Sequence, residues 1–222
     1  MNDNSNSRRK FMETMAASAA GLSFLSTPIL ANNAQPDLTL ADDADAWFKK
    51  IKGKHKIVYD APEPHEGFPI IWSWVFYKTN NATGTPDNEL TAVVVLRHSA
   101  VPFAMEDKLW EKYKFGENFK INDPSTSAAA VKNPFYVPDA PMWKEFGIDG
   151  IKALQARGVM FCVCDMALTV NAHFTAKAMN ANADDIKKEW VAGLLPGVQV
   201  VPSGVWAVGR AQEKGCAYCF AG

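Results

Sequence analysis

The chain has 222 residues, with 23 lysines and arginines against 24 aspartates and glutamates, and 48% of its residues are hydrophobic. The near balance of charge argues against a nucleic-acid-binding protein, which normally carries a basic excess. No apolar run approaches the roughly 20 residues that a membrane-spanning helix needs. Length and composition are therefore typical of one globular domain with a substantial core.

Residues 1–34 have the features of an export signal. Arg8 and Arg9 form a twin-arginine pair, a modestly apolar stretch of small residues covers 16–30, and small residues end the segment. A charged start, a short apolar middle and a small-residue end are typical of a cleaved signal. We therefore expect recognition by the twin-arginine export machinery, a periplasmic location, and a single domain over 35–222 without a membrane span.

Strands and helices alternate along that domain. In chain order, the patterns predict a helix over 41–50, a strand over 56–60, helix 68–78, strand 91–96, helix 106–113, a loop over 115–140, helix 141–157, strand 159–164, helices 171–179 and 182–195, strand 198–201, helix 203–213 and strand 216–220. Alternation of this kind favours parallel pairing. The predicted fold is thus α/β, a doubly wound and mainly parallel sheet of about five strands with helices on both faces.

The segment 115–140 is predicted to be a long insertion loop. It lacks periodicity and contains three prolines, and a loop of about 25 residues inside a compact domain usually forms a lid, a binding loop or an interface. Its aromatic residues Phe119, Phe135 and Tyr136 indicate that it packs against the domain.

A cysteine ends one of the buried strands. The run Val159–Cys164 is short and apolar, and Asp165 interrupts it before a helical pattern. Open α/β sheets bind ligands and perform chemistry at the carboxyl ends of their strands. Cys164 is therefore the first candidate for a reactive group.

Two histidines follow other predicted strands and should lie at the same edge. His65 follows the first strand and His98 follows the second. A reactive thiol needs stabilisation of its thiolate form, which an imidazolium or the start of a helix supplies. We predict that Cys164, His98 and His65 are the catalytic residues; the alternative is an inert buried cysteine and two loop histidines. The predicted binding residues are their polar neighbours, Arg97, Asp165 and Asn171.

Several of these segments resemble the DsrE/DsrF-like family. The resemblance is carried by Gly158–Cys164, by Leu194–Val205, and by Arg210–Gly215 with Ala217 and Tyr218. It implies a small α/β sheet that assembles into trimers or hexamers. Some members of the family are sulfur-relay proteins that carry a persulfide on one cysteine, and Cys164 is the matching position. This chain departs from the family in its export signal, its insertion and its additional cysteines.

The four cysteines leave three interpretations open. Cys162 and Cys164 share one strand face, whereas Cys216 and Cys219 face opposite sides if their segment is extended. The sulfurs are candidates for a Zn²⁺ or Cu⁺ site, for disulfides, or for free thiols. The sequence therefore predicts an exported DsrE-like protein with thiol-based sulfur or redox chemistry; a non-catalytic module for a ligand or partner and a cysteine-ligated metal site are the alternatives. Cofactor and substrate stay open.

Overall fold

Five parallel strands form the central sheet in the computed structural model, which describes residues 38–222. The strands are β1 (His55–Ala61), β2 (Leu90–Leu96), β3 (Met160–Cys164), β4 (Gln199–Val201) and β5 (Ala217–Phe220). Their order in the sheet is β4-β3-β2-β1-β5, and all neighbours pair in parallel. The predicted mainly parallel α/β sheet of about five strands is confirmed. The predicted export segment 1–34 lies outside the described residues.

Nine α-helices flank the sheet within residues 38–222. They are α1 (Leu38–Phe48), α2 (Phe68–Ala82), α3 (Asp107–Tyr113), α4 (Phe115–Asn118), α5 (Pro141–Phe146), α6 (Ile151–Arg157), α7 (Asp165–Met179), α8 (Ala183–Ala192) and α9 (Gly204–Glu213). Helices α2 to α8 pack on one face of the sheet, and α1 and α9 pack on the other. In this part of the chain, none of the helices combines the length and apolar character that a bilayer crossing requires.

Strand β2 lies at the centre of the core. All seven of its residues are buried, as expected for a strand that is covered on both faces. Its side chains alternate between the two hydrophobic clusters: Val94 and Leu96 face α2 to α8, whereas Val93 and Val95 face α1 and α9. The same alternation in the neighbouring strands decides which residues share a face at the edge of the sheet.

Two helices depart most from their predicted bounds. The predicted helix over 141–157 is two helices, because Gly147 ends α5 in the left-handed conformation, with φ 62°, and Gly150 lies too close to Pro138 and to the Phe135 carbonyl for a side chain to fit. The helix predicted over 171–179 begins six residues earlier, directly after β3. In the second case Cys164 itself caps the helix, so no loop separates strand and helix.

The insertion packs onto the domain, as its aromatic residues predicted. It contains the short helix α4 and an isolated antiparallel bridge between Asn122 and Ala129. Buried Asn133 fixes its second half: its side-chain amide donates to the carbonyl oxygens of Phe103 (3.0 Å) and Met105 (2.9 Å). Phe135 is fully buried, with its ring centroid 4.7 Å from that of Phe103. The segment is therefore a structured part of the fold.

Candidate functional site

Cys164 lies at the carboxyl end of β3 and caps helix α7. Its backbone is extended, and its sulfur accepts a hydrogen bond from the Ala167 N–H at 3.2 Å. An N-cap position usually carries Ser, Thr, Asp or Asn, whose oxygen accepts this bond. Here a thiol takes that place, so a backbone N–H and the positive end of a 15-residue helix face the sulfur. The residue is 6% exposed.

A buried carboxylate and an arginine lie on the same face of the sheet as the Cys164 side chain. Asp60, near the end of β1, accepts hydrogen bonds from Arg97 Nε (2.6 Å) and Nη2 (3.0 Å), and from the Tyr218 hydroxyl (3.0 Å). The hydrogen bonds with Asp60 raise the pKa of Arg97 against the opposing effect of burial, and electrostatic interactions with Asp60, Tyr218 and Cys164 act in the same direction. The guanidinium is therefore held by Asp60 within electrostatic range of the thiol.

The thiol lies at the switch point of the sheet. The connections after β1, β2 and β3 run over the α2–α8 face, whereas the connection after β4 runs over the opposite face through α9. Such a reversal opens a crevice between the carboxyl ends of two strands, here β3 and β4, and ligands of open α/β sheets bind in that crevice. The predicted location of Cys164 at a strand end is thus confirmed, and the fold adds the crevice.

Helix α9 begins on the other side of this crevice. Ser203 caps it by accepting a hydrogen bond from the Trp206 N–H at 3.2 Å, as the sequence predicted. A Cβ on Gly204 would lie 2.6 Å from Arg97 Cδ and 2.7 Å from Arg97 Cβ. Only glycine therefore lets the arginine lie across the start of α9.

The two predicted histidines share this edge of the sheet but have other partners. The His98 side chain is 69% exposed, with Nδ1 3.2 Å from Ser99 Oγ and 4.0 Å from Glu63 Oε1. The His65 ring lies 5.0 Å from that of Phe68, centroid to centroid. In the described part of the chain, neither imidazole makes a hydrogen bond with the Cys164 sulfur. Their catalytic role stays a prediction, and the guanidinium of Arg97 lies within electrostatic range of the thiol.

Asp165 and Asn171, two of the predicted binding residues, contact other parts of the protein. Asp165 forms an ion pair of 2.8 Å with Lys187, which joins α7 to α8. The Asn171 side-chain amide donates to the carbonyl oxygens of His98 (3.1 Å) and Ala167 (2.8 Å). These contacts position the loop after β2 and the first turns of α7. A direct role in ligand binding stays a prediction for both.

The four cysteines are free and do not form one site. Cys162 and Cys164 belong to β3, whereas Cys216 and Cys219 flank or belong to β5, and two strands separate β3 from β5. Three strand spacings of about 4.8 Å place the pairs roughly 14 Å apart, beyond the reach of a disulfide or a shared ion. Among residues 38–222 no group of three or more His, Cys, Asp or Glu residues could hold a metal ion.

Burial disfavours the thiolate form of the other three cysteines. It raises the pKa of Cys162, which is fully buried, and it raises the pKa of Cys216 to about 11 and that of Cys219. A thiol with a raised pKa carries little thiolate at neutral pH and is a poor nucleophile. These three cysteines therefore serve as internal references for the reactivity of Cys164.

Sequence reasoning missed Asp60, Tyr218 and Gly204. Asp60 lies at the end of a predicted apolar strand, and a carboxylate at such a position indicates a candidate functional residue. Tyr218 carried no comparable signal, because its hydroxyl meets Asp60 across 158 positions of the chain. Gly204 has a function only because β2 brings Arg97 against it.

Comparisons with other proteins give little further information. No protein-family model matches the chain, and no curated protein sequence is similar to it. One solved structure with a similar arrangement is a protein of unknown function from Methanobacterium thermoautotrophicum. It is 18% identical, with a TM-score of 0.38, and the match covers 75% of this chain and 99% of the other.

Proposed function

We propose that this chain is an exported DsrE-like protein that uses the thiol of Cys164 for sulfur transfer or thiol–disulfide exchange. The observation that carries the proposal is the position of the sulfur at the switch point of the sheet, where it accepts a hydrogen bond from the Ala167 N–H at 3.2 Å within electrostatic range of Arg97. The three segments that resemble the family form β3, the β4–α9 unit and β5. The resemblance and the geometry therefore point to the same residue.

The chemistry follows from the stabilisation of negative charge. A backbone N–H, a helix N-terminus and a guanidinium all favour a thiolate over a thiol. In the proposed transfer, the Cys164 thiolate attacks the outer sulfur of a donor persulfide, R–S–SH. The S–S bond of the donor breaks, a new S–S bond forms on Cys164, and the donor leaves as the thiolate R–S⁻. Atoms and charge balance without an external oxidant.

Selective labelling tests the reactive residue. Native protein treated with iodoacetamide at pH 7 should gain one adduct by intact mass, and Cys164→Ala should abolish it. Cys162→Ala is the matched control, because it removes the neighbouring sulfur on the same strand face and should leave the adduct in place. Equal labelling of all four cysteines in native protein would contradict the proposal.

Sulfur loading tests the reaction itself. After incubation with a low-molecular-weight persulfide, the protein should gain about 32 Da, the mass of one sulfur atom, and reductant should remove it. The gain should disappear in Cys164→Ala and persist in Cys162→Ala. A protein that is alkylated at Cys164 but never gains sulfur would restrict the function to thiol–disulfide exchange.

Export and assembly are separate parts of the proposal. The sequence of residues 1–34 supports twin-arginine export, and replacement of Arg8 and Arg9 by lysine should retain the full-length chain inside the cell. The family resemblance supports a trimer or hexamer, which light scattering of the mature chain would measure. Retention of periplasmic delivery by the double lysine variant would contradict the proposed route.

A further inference from the structure

A second cavity opens at the same edge of the sheet, on the face opposite the thiol. It has a volume of about 470 Å³, and its walls come from the loops after β1 and β2, from the insertion and from α7. Glu63, His98, Lys120 and Asn171 contribute polar groups to these walls. Helix α7 packs on the α2–α8 face, whereas Cys164 lies two residues after Cys162 on β3 and therefore shares its face, which packs against α1 and α9. The cavity is therefore distinct from the crevice of the thiol.

Backbone strain is concentrated around this cavity and the one that adjoins it. Seven non-glycine residues in the described part of the chain have positive φ, and five of them line this cavity or an adjoining one of about 580 Å³. The five are His65 (39°), Glu66 (53°), His98 (49°), Lys120 (54°) and Ser127 (59°). The other two end helices α3 and α7, where a left-handed residue is common. Strained residues of this kind cluster at ligand-binding sites, where the fold holds side chains in fixed positions.

Polar groups of both signs line this cavity. Lys120 has no ion pair among residues 38–222. The side-chain amides of Asn118 and Asn171 donate to backbone carbonyl oxygens, and in the same part of the chain their amide oxygens receive no hydrogen bond. The Glu63 carboxylate is 60% exposed and lies 4.0 Å from His98 Nδ1. The walls thus offer one ammonium donor and several oxygen acceptors.

Aromatic side chains complete the walls. Phe119 and Phe174 both line the cavity, and the Phe174 side chain is 57% exposed. Small-molecule sites combine such apolar walls with a few polar groups that fix orientation. A complementary ligand needs an anionic group for Lys120, a cationic or donor group for Glu63 and the two asparagines, and an apolar body for the phenyl rings.

We infer that this cavity binds a zwitterionic α-amino acid with an apolar side chain. The ligand carboxylate pairs with Lys120, the ammonium group donates to Glu63 and the amide oxygens, and the side chain packs between Phe119 and Phe174. Charge-assisted hydrogen bonds at both ends give the site its preference for a zwitterion over a molecule with one charge. This binding is independent of the thiol, because the two sites lie on opposite faces of the sheet.

Calorimetric titration of the mature protein tests the inference with three probes. L-phenylalanine carries both charges, 3-phenylpropionate only the negative one, and phenethylamine only the positive one. Phenylalanine should bind at least about tenfold more tightly than either analogue, since each lost charge removes a charge-assisted bond. Absence of binding by phenylalanine, or equal affinity for all three probes, would overturn the inference.

Matched variants assign the two ends of the ligand. Lys120→Met should weaken the binding of phenylalanine and 3-phenylpropionate by about tenfold and leave that of phenethylamine unchanged. Glu63→Gln should weaken the binding of phenylalanine and phenethylamine by about tenfold and leave that of 3-phenylpropionate unchanged. Lys152→Met removes an exposed lysine outside the cavity and is the control. Cys164→Ala should bind phenylalanine with the affinity of the unaltered protein. A failure of the proposed thiol chemistry can therefore be distinguished from a failure of amino-acid binding. Equal affinities in Lys120→Met and Lys152→Met would refute the assignment.

Discussion

Arg97 and Asp60 provide the sharpest test of how the thiol crevice is held together. The Asp60 side chain is only 8% exposed and that of Arg97 is 29% exposed. Removal of one partner from a buried ion pair costs about 3–5 kcal/mol, because the remaining charge is left without compensation. Since nearly a third of the arginine side chain reaches water, solvent screens part of this effect, and we expect a loss of about 3 kcal/mol for Arg97→Met.

A double-mutant cycle isolates the interaction itself. The free energy of unfolding, measured by urea denaturation at pH 7, is compared for the unaltered protein, Arg97→Met, Asp60→Leu and the double variant. Two charge-assisted hydrogen bonds of 2.6 and 3.0 Å join the pair. We therefore expect a coupling energy of about 2 kcal/mol, so that the double variant is more stable than the sum of the single losses predicts.

An exposed ion pair in the same protein supplies the control. Lys132 and Asp139 lie 3.0 Å apart, and their side chains are 48% and 52% exposed. The corresponding cycle should give a coupling energy below about 0.5 kcal/mol, since water screens such pairs. Additive effects at Arg97 and Asp60, within the error of the control cycle, would refute the view that this pair is a buried structural unit beside Cys164.

Three further predictions concern other parts of the structure. Gly204→Ala should lower the melting temperature and reduce the rate of iodoacetamide labelling, because its Cβ would meet Arg97 at 2.6 Å and displace the guanidinium; unchanged labelling would contradict this. Phe135→Ala should cost about 3–5 kcal/mol of unfolding free energy, since the ring is fully buried between the insertion and the core; a loss below about 1 kcal/mol would mean that the insertion is peripheral. In Cys164→Ala, Cys216 should react appreciably only as the pH approaches about 11, because burial raises its pKa. The Cys216 thiol loses its proton at a lower pH in the unfolded chain than in the folded protein. The contribution of Cys216 to the free energy of unfolding therefore falls between pH 9 and about 11.

Local sequence patterns were sufficient for most of the elements. The apolar runs over 91–96 and 159–164 predicted β2 and β3 within one residue, since a strand buried on both faces needs apolar side chains at every position. The caps Asn182 and Ser203 act as predicted, because the bonds that a cap makes reach only two or three residues along the chain. The prediction of a single helix over 141–157 was wrong, because Gly147 ends α5 in the left-handed conformation and α6 begins where Ile151 donates to the Phe135 carbonyl of the insertion.

The sequence by itself determined that a thiol ends a buried strand of a parallel α/β sheet. Only the tertiary structure decided what surrounds that thiol. The order β4-β3-β2-β1-β5 brings the Tyr218 hydroxyl to Asp60 and keeps Cys216 and Cys219 away from β3. Side-chain alternation then directs Arg97 to Asp60 and the start of α9, whereas His98 contacts Ser99 and lines the cavity on the other face. Strand order and face are set by contacts between residues far apart in the chain, and local periodicity carries no information about them.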